Sequence, residues 1–357
     1  MDDWRNLVGT GPFIVADYVK GSQVVYERNP NYWKTSTING KEYQLPFLDE
    51  LVYPIIPDVS TQVAAIRTGK VDINTQVPTL YEDTLAETSP DLTQSKVLSS
   101  WLTRVQFNAL EGKLFNDVNL RRAMMIGTDI QRIVDVVYKG GIVHTSTVSP
   151  FNNPNVYTPI EEMTGIAREL FEYDPAKAKQ MIADAGYPDG LKDLVLYAEN
   201  TEQYVDIASA LMDMWADIGV ECEVRLVDYS TQYAMKQELT YDHVILCYGG
   251  NSMPVEHTNQ KISVTRLGTS WLPEWLLDKA FKMRTEMDPV KRDALVKEVI
   301  LDIHEGVPYI PLGSKYEVCT WWPWVKNYYG EIHPGTAYGP LMATIWIDQV
   351  TKAEMGY

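Results

Sequence analysis

The sequence predicts an α/β fold, and three observations predict it. Strand-like and helix-like segments alternate along most of the 357 residues, as layered α/β proteins require. Asp174-Pro175 and Asp288-Pro289 are twin helix starts, each a capping carboxylate followed by a proline suited to the first helical position. Val220, Cys222, Val224 and Leu226 alternate with Glu221, Glu223 and Arg225, the period of two of a half-buried strand.

The elements follow in chain order. The first stretch reads as β-rich. Gly9-Thr10-Gly11-Pro12 is turn chemistry, and strands follow at Phe13 to Tyr18 and Gln23 to Glu27 around a Lys20-Gly21-Ser22 turn. Arg28 to Trp33 reads as a turn ending on two aromatics, and Leu51 to Ile56 as an apolar strand. Ser60 reads as the cap of a helix with Val63, Ala64 and Ile66 on one face, ended by Gly69, with a strand at Val71 to Ile73. Trp101 to Asn108 is the next strand. Asn116 or Asp117 caps a helix through Ile126; Thr128 caps a continuation through Val137, and Gly140-Gly141 ends it.

The helix after Asp174-Pro175 places Ala178, Met181, Ile182 and Ala185 on one face and stops at Gly186. A strand at Leu194 to Tyr197 precedes an amphipathic helix through Tyr204, Ile207, Ala208, Leu211, Trp215 and Ile218. After the alternating strand come a short helix at Thr231 to Gln237 and a strand at His243 to Tyr248. Helices at Trp275 to Met287 and from Pro289 to Gly306 lead to strands at Tyr309 to Leu312 and Tyr316 to Thr320. Trp321-Trp322-Pro323-Trp324 is an aromatic turn, and Met342 to Ile347 reads as a last strand. The loop Thr147 to Thr164 is long enough to suggest function or cover for a neighbouring domain.

Composition bounds the rest. The length suits about two domains. Hydrophobic residues at 45% are enough for a core, and no apolar run is long enough to span a bilayer. A formal net charge of −17 repels phosphate backbones, and no Lys/Arg run offers a basic patch, so nucleic acid is not an expected partner. Cys222, Cys247 and Cys319 form no CxxC pair, and the five histidines lack metal-ligand spacing, so neither a metal nor a cofactor is expected. No serine-hydrolase, metalloprotease, phosphate-loop or dinucleotide-binding motif is present, and no catalytic residue is assigned. A carbohydrate-active enzyme using acidic and aromatic cleft residues stays as the alternative, because paired carboxyls are recognised by spatial separation. With 10 Trp, 22 Tyr and 7 Phe, the chain has ample aromatic area for a ligand as well as for a core.

Several segments, in order, carry a resemblance. Gly9-Thr10-Gly11-Pro12-Phe13 with Glu27-Arg28-Asn29-Pro30-Asn31-Tyr32-Trp33 resembles the signature of family 5 extracellular solute-binding proteins, the dipeptide, oligopeptide and nickel-type receptors of ABC importers. Phe115-Asn116-Asp117-Val118-Asn119-Leu120-Arg121-Arg122-Ala123 is similar to that family's F-x-D-x-x-x-R-x-A helix entry. Tyr173 to Ala178, Ala185 to Gly190, Ile218-Gly219-Val220, Val307 to Leu312 and Pro323 to Lys326 also fit in order.

The resemblance implies a bilobed clamshell of the periplasmic-binding-protein class II type, with the N-terminal part of the family fold missing. It implies a partial proximal lobe at 1–100, a distal α/β lobe at 109–308 and a return to the proximal lobe at 316–357. Hinge strands would lie near 101–108 and 309–315. The expected function is an extracytoplasmic receptor, periplasmic or a cell-surface lipoprotein, whose signal segment is absent from this chain. It would act as a monomer, capture a peptide or oligosaccharide-like solute in an interlobe cleft and deliver it to membrane-bound ABC permease subunits. Peptide-binding members carry an Asp after a strand and an aromatic residue, and the matching segment here is Cys247 to Pro254. The ligand-binding residues implied are Tyr248, Gly249, Gly250 and Asn251, with Trp271 a further cleft-lining aromatic. Asn251 at the Asp position brings no charge to a ligand ammonium, which favours a sugar or a blocked or neutral peptide unless another carboxylate such as Glu256 substitutes.

Overall fold

The computed structural model describes residues 3–99, 102–143, 145, 150, 153–249, 270–271, 273–331 and 339–357. The chain forms two compact units: one from 1–97 and 316–357, the other from 98–315.

The first unit opens with strands β1 (Phe13–Val19) and β2 (Gln23–Arg28), a hairpin turned at Gly21 with φ 74°. Two short strands, β3 (Thr35–Ile38) and β4 (Lys41–Gln44), form a second hairpin. Strand β5 (Glu50–Pro54) adds antiparallel to β2, giving a three-stranded sheet in the order β1-β2-β5. Helix α1 (Val59–Arg67), strand β6 (Ile73–Pro78), helix α2 (Glu82–Thr88) and strand β7 (Thr93–Leu98) follow. The cap of α1 is Asp58, whose Oδ1 accepts from Thr61 N at 2.7 Å, and not Ser60, whose hydroxyl donates to the same carboxylate. Its buried face is Val63, Ala65 and Ile66, with Ala64 outward.

The motif Arg28 to Trp33 owes its form to Asn29, a buried amide. Its Nδ2 donates to Gly11 O (2.7 Å), its backbone N donates to Pro12 O (2.9 Å), and its Oδ1 accepts from Asn31 N (3.0 Å). The Gly-Thr-Gly-Pro turn and the Asn-Pro-Asn turn are thus one hydrogen-bonded knot, which satisfies polar groups that burial would otherwise penalise.

The second unit is built on a five-stranded sheet. Its elements are β8 (Leu102–Phe107), α3 (Val118–Ile126), β9 (Gly141–Ile142), α4 (Pro175–Asp184), β10 (Leu191–Glu199), α5 (Glu202–Asp217), β11 (Val220–Val227), α6 (Tyr229–Glu238), β12 (Val244–Gly249), α7 (Glu274–Thr285), α8 (Pro289–Gly306) and β13 (Tyr309–Pro311). The strand order is β11-β10-β12-β8-β13, with β10 parallel to β11 and β12, and β8 antiparallel to β12 and β13. Asp117, Asp174, Asp228 and Asp288 each cap the helix that follows. Thr128 is not the cap of the next turn. Asp129 is, while the Thr128 hydroxyl donates to Met124 O and accepts from Trp215 Nε1 at 3.0 Å.

One face of this sheet carries Val105, Phe107, Leu194, Leu196, Val244, Leu246 and Ile310, packed with α3 and α5 into the main core. At this face Gly190 and Gly219 let two turns meet, as Leu191 N donates to Gly219 O at 3.0 Å. A smaller core joins α7, α8 and Tyr309, and Lys279 of α7 pairs with Glu298 (2.7 Å) and Asp302 (2.8 Å) of α8.

The chain returns along β14 (Ser314–Trp321), which pairs with β6 and β7. The backbone closes the second unit at its own ends, Ser99 N donating to Lys315 O at 2.9 Å. In the first unit Trp322 and Trp324 stack with ring centroids 4.7 Å apart and planes 5° from parallel, and Tyr357 packs on both. The segment read as a last strand at Met342 to Ile347 is instead a helical turn at Gly339–Met342 and a two-residue strand, β16 (Trp346–Ile347), paired with β15 (Val325–Lys326). Helix α9 (Gln349–Glu354) ends the unit.

Candidate functional site

The site is assembled in the second unit, where β10, β11 and β12 run parallel and end together. Ligands of open α/β sheets gather at such carboxyl ends, because loops and helix starts converge there. Tyr248 lies at the end of β12, half-buried, opposite Thr103 of β8. Its ring stacks on Tyr229 at the start of α6, with centroids 6.5 Å apart and planes at 17°, and Tyr229 leans on Tyr233 at 6.0 Å. Lys236, one turn further along α6, holds its Nζ 5.1 Å from the Tyr233 ring and 6.0 Å from the Tyr248 ring. The spacing of 229, 233 and 236 puts these side chains on one helix face.

Tyr229 and Tyr233 are exposed, and burial dominates the electrostatics of their inner neighbours. Burial, then the hydrogen bond with Tyr229, pushes the Tyr248 phenol well up. Burial also raises Tyr204 and raises Glu199, the last residue of β10. Lys236 is lowered, first by burial.

The sheet face under α6 is polar yet closed to water. Arg104 and Gln106 of β8 and Asn108 just after it are all fully buried. Arg104 Nη2 donates to Gln106 Oε1 (3.0 Å), Gln106 Nε2 donates to Tyr241 Oη (3.1 Å), and Tyr241 Oη donates to Phe107 O (3.1 Å). Asn108 Nδ2 donates to Tyr241 O (2.6 Å), and Gln232 Nε2 to Leu246 O (2.7 Å).

Of the residues expected to bind ligand, Tyr248 stands in this cluster and Gly249 ends its strand. Gly250 and Asn251 lie outside the described residues. Trp271 belongs to another neighbourhood: it packs against Gly306, where an added Cβ would fall 2.1 Å from its ring, meets Trp275 edge-on at 6.1 Å, and lies under the Arg121 guanidinium at 5.6 Å. Arg121 is a clamp. Its Nε donates to Gly306 O (2.9 Å) and Val307 O (3.1 Å), and its Nη1 to Phe115 O (2.7 Å) and Asn116 O (3.0 Å). Burial lowers it to about 10.

Sequence reasoning missed Tyr229, Lys236 and Arg104. The alternation in β8 was a usable signal, but a polar face in a strand ordinarily reads as a wet one. Among the described residues no group of His, Cys, Asp and Glu could hold a metal, and no helix is long and apolar enough to cross a membrane.

Comparison with known proteins defines the class. The chain shares its fold with the ABC transporter-associated periplasmic binding protein DppA from Helicobacter pylori, solved in complex with the peptide STSA. The TM-score is 0.77 at 21% identity, covering 95% of this chain and 63% of that one. The fold is therefore that of the periplasmic binding proteins. The family described as bacterial extracellular solute-binding proteins, family 5 Middle, matches residues 1–262, and the chain belongs to it. It is 28% identical over 338 residues to heme-binding protein A of Haemophilus influenzae, covering 90% of this chain. It is 23% identical over 315 residues to di/tripeptide-binding protein 1 of Pseudomonas aeruginosa, covering 85%. The chain spans 57% and 55% of the length of those two proteins. These relatives are binding proteins by name, and nothing in them supports a carbohydrate-active enzyme.

Proposed function

We propose that this chain is the solute-binding portion of an extracytoplasmic receptor that captures a peptide-class solute and delivers it to ABC permease subunits, without catalysing a reaction. The observation that carries the reading is the Tyr229–Tyr248 stack beside Lys236, at the carboxyl ends of the parallel strands, in a chain of this family. Stacked rings offer a large rigid surface with few torsions to freeze, which suits an extended backbone. A proximal lobe at 1–100 and 316–357, a distal lobe at 109–308 and hinge strands near 101–108 and 309–315 are proposed with it; the division at 97/98 and 315/316 supports the order of the two lobes along the chain. Tyr248, Gly249, Gly250 and Asn251 are proposed to meet the ligand; Trp271 is proposed only as an outer contact, since half of it is committed to Gly306 and Arg121.

Thermal unfolding with pools of di- to nonapeptides, oligosaccharides and nickel tests this. A ligand at about 100 times its Kd should add roughly 2.7 kcal/mol, several degrees of Tm for a unit of this size. Tyr248→Ala should lose most of that shift. Silence toward every pool would refute the reading.

A further inference from the structure

Two cations are buried in the second unit with no anion among the described residues beside them. Arg104 is fully buried on β8. Among the described residues its Nη2 donates to the neutral amide oxygen of Gln106, and its Nε and Nη1 have no partner. The ring of Tyr309 lies 5.4 Å from the guanidinium carbon. Lys236 is 6% exposed and faces the rings of Tyr233 and Tyr248. No described carboxylate pairs with either residue, although the chain holds 48 Asp and Glu. Glu199, which acts on Tyr248, is raised by burial alone, and neither cation offsets that rise.

The two cations also share a place. Arg104 is the cross-strand partner of Cys247, and Lys236 is influenced electrostatically by both Cys247 and Arg104. Arg104 thus faces Cys247 across the strands, and the Lys236 Nζ lies 6.0 Å from the ring of the next residue, Tyr248. Burying a cation without a counter-charge is strongly unfavourable. Folds keep such a cost where a ligand removes it. A carboxylate fits what is left open: the N–H groups of Nε and Nη1 remain to donate, each from a different edge of the planar guanidinium, and an ammonium adds a compact second charge.

We propose that Arg104 and Lys236 form an anion seat that takes a carboxylate of the solute beside Tyr248, making this a receptor for acidic peptide-class solutes. This rests on the receptor reading above, and the experiment separates the two.

The full chain is titrated with N-acetylated, C-amidated Ala-Glu-Ala-Ala and Ala-Gln-Ala-Ala by calorimetry, and with glutarate and chloride by thermal unfolding. The acidic peptide should bind about 30-fold more tightly than its amide counterpart. Arg104→Met and Lys236→Met should each remove about that factor, so that the two peptides bind alike. Both variants should melt higher than the parent without ligand, and glutarate should raise the Tm of the parent alone. Should Arg104→Met fail to fold, Lys236→Met carries the same test. Equal binding of the two peptides, unmoved by the substitutions, would overturn the seat and leave the receptor reading standing. Stabilisation by glutarate that both substitutions abolish, with neither peptide bound, would keep the seat and sink the peptide reading. A chloride response equal to that of glutarate would mean an adventitious ion only, and would overturn the proposal.

Discussion

Lys236 carries its cost in a form that pH can expose. Burial, the largest cause, holds its ammonium below the ordinary lysine value of 10.5. Between the lowered folded-state value and 10.5 the unfolded chain binds more protons than the folded one, so this residue's contribution to stability rises with pH. At neutral pH the full cost is present. Lys236→Met should therefore stabilise the second unit by on the order of 1 kcal/mol at pH 7. The gap between variant and parent should close as pH climbs toward 10.5, which urea melts at stepped pH would show. A gap constant with pH would mean that methionine acts by packing alone. Arg121 makes the opposite case. It is equally buried, but its guanidinium satisfies four carbonyls at once, tying the entry of α3 to the end of α8. Arg121→Met leaves those carbonyls short of donors and should cost about 3 kcal/mol in the same assay.

At the scale of elements, the helices with a strong start were legible in the sequence: Asp174-Pro175 and Asp288-Pro289 cap as read, because an aspartate cap and an N1 proline act locally. Less legible were caps where a hydroxyl residue stands within two positions of an aspartate. Ser60 and Thr128 lost to Asp58 and Asp129, whose carboxylates accept more strongly than a hydroxyl. Helix α2 and the β3–β4 hairpin were missed; their residues are polar and mostly exposed, and neither has an apolar stripe to announce it. The candidate site was legible only at Tyr248 and Gly249, through a resemblance. Its cations depend on two elements far apart in sequence, β8 and α6, closing over one sheet face. A different tertiary demand appears at Gly190, with φ 82°, where an added Cβ would fall 1.9 Å from Gly219 O. Gly190→Ala should cost more than about 3 kcal/mol, since backbone strain and collision act together. Urea denaturation followed by circular dichroism checks it, and a loss under about 1 kcal/mol would mean the two turns can part freely.

For the whole molecule, the second unit behaves topologically as an insertion: it begins after Val97, ends at Lys315, and holds its own core. The Ser99–Lys315 hydrogen bond places its ends side by side, so excision strains little. A polypeptide of residues 98–315 should unfold as one cooperative transition, and calorimetry that finds no transition would refute this. The first unit carries its own optical label. Trp322 and Trp324 lie close enough and parallel enough that their electronic transitions couple, so absorption by one indole is shared with the other. Trp215, buried in the other unit with its indole N–H on Thr128, has no such twin among the described residues. Light should thus tell the two units apart without any added dye: a coupled-indole circular dichroism signal follows the opening of the first, and the blue-shifted emission of an isolated, dry indole follows the second.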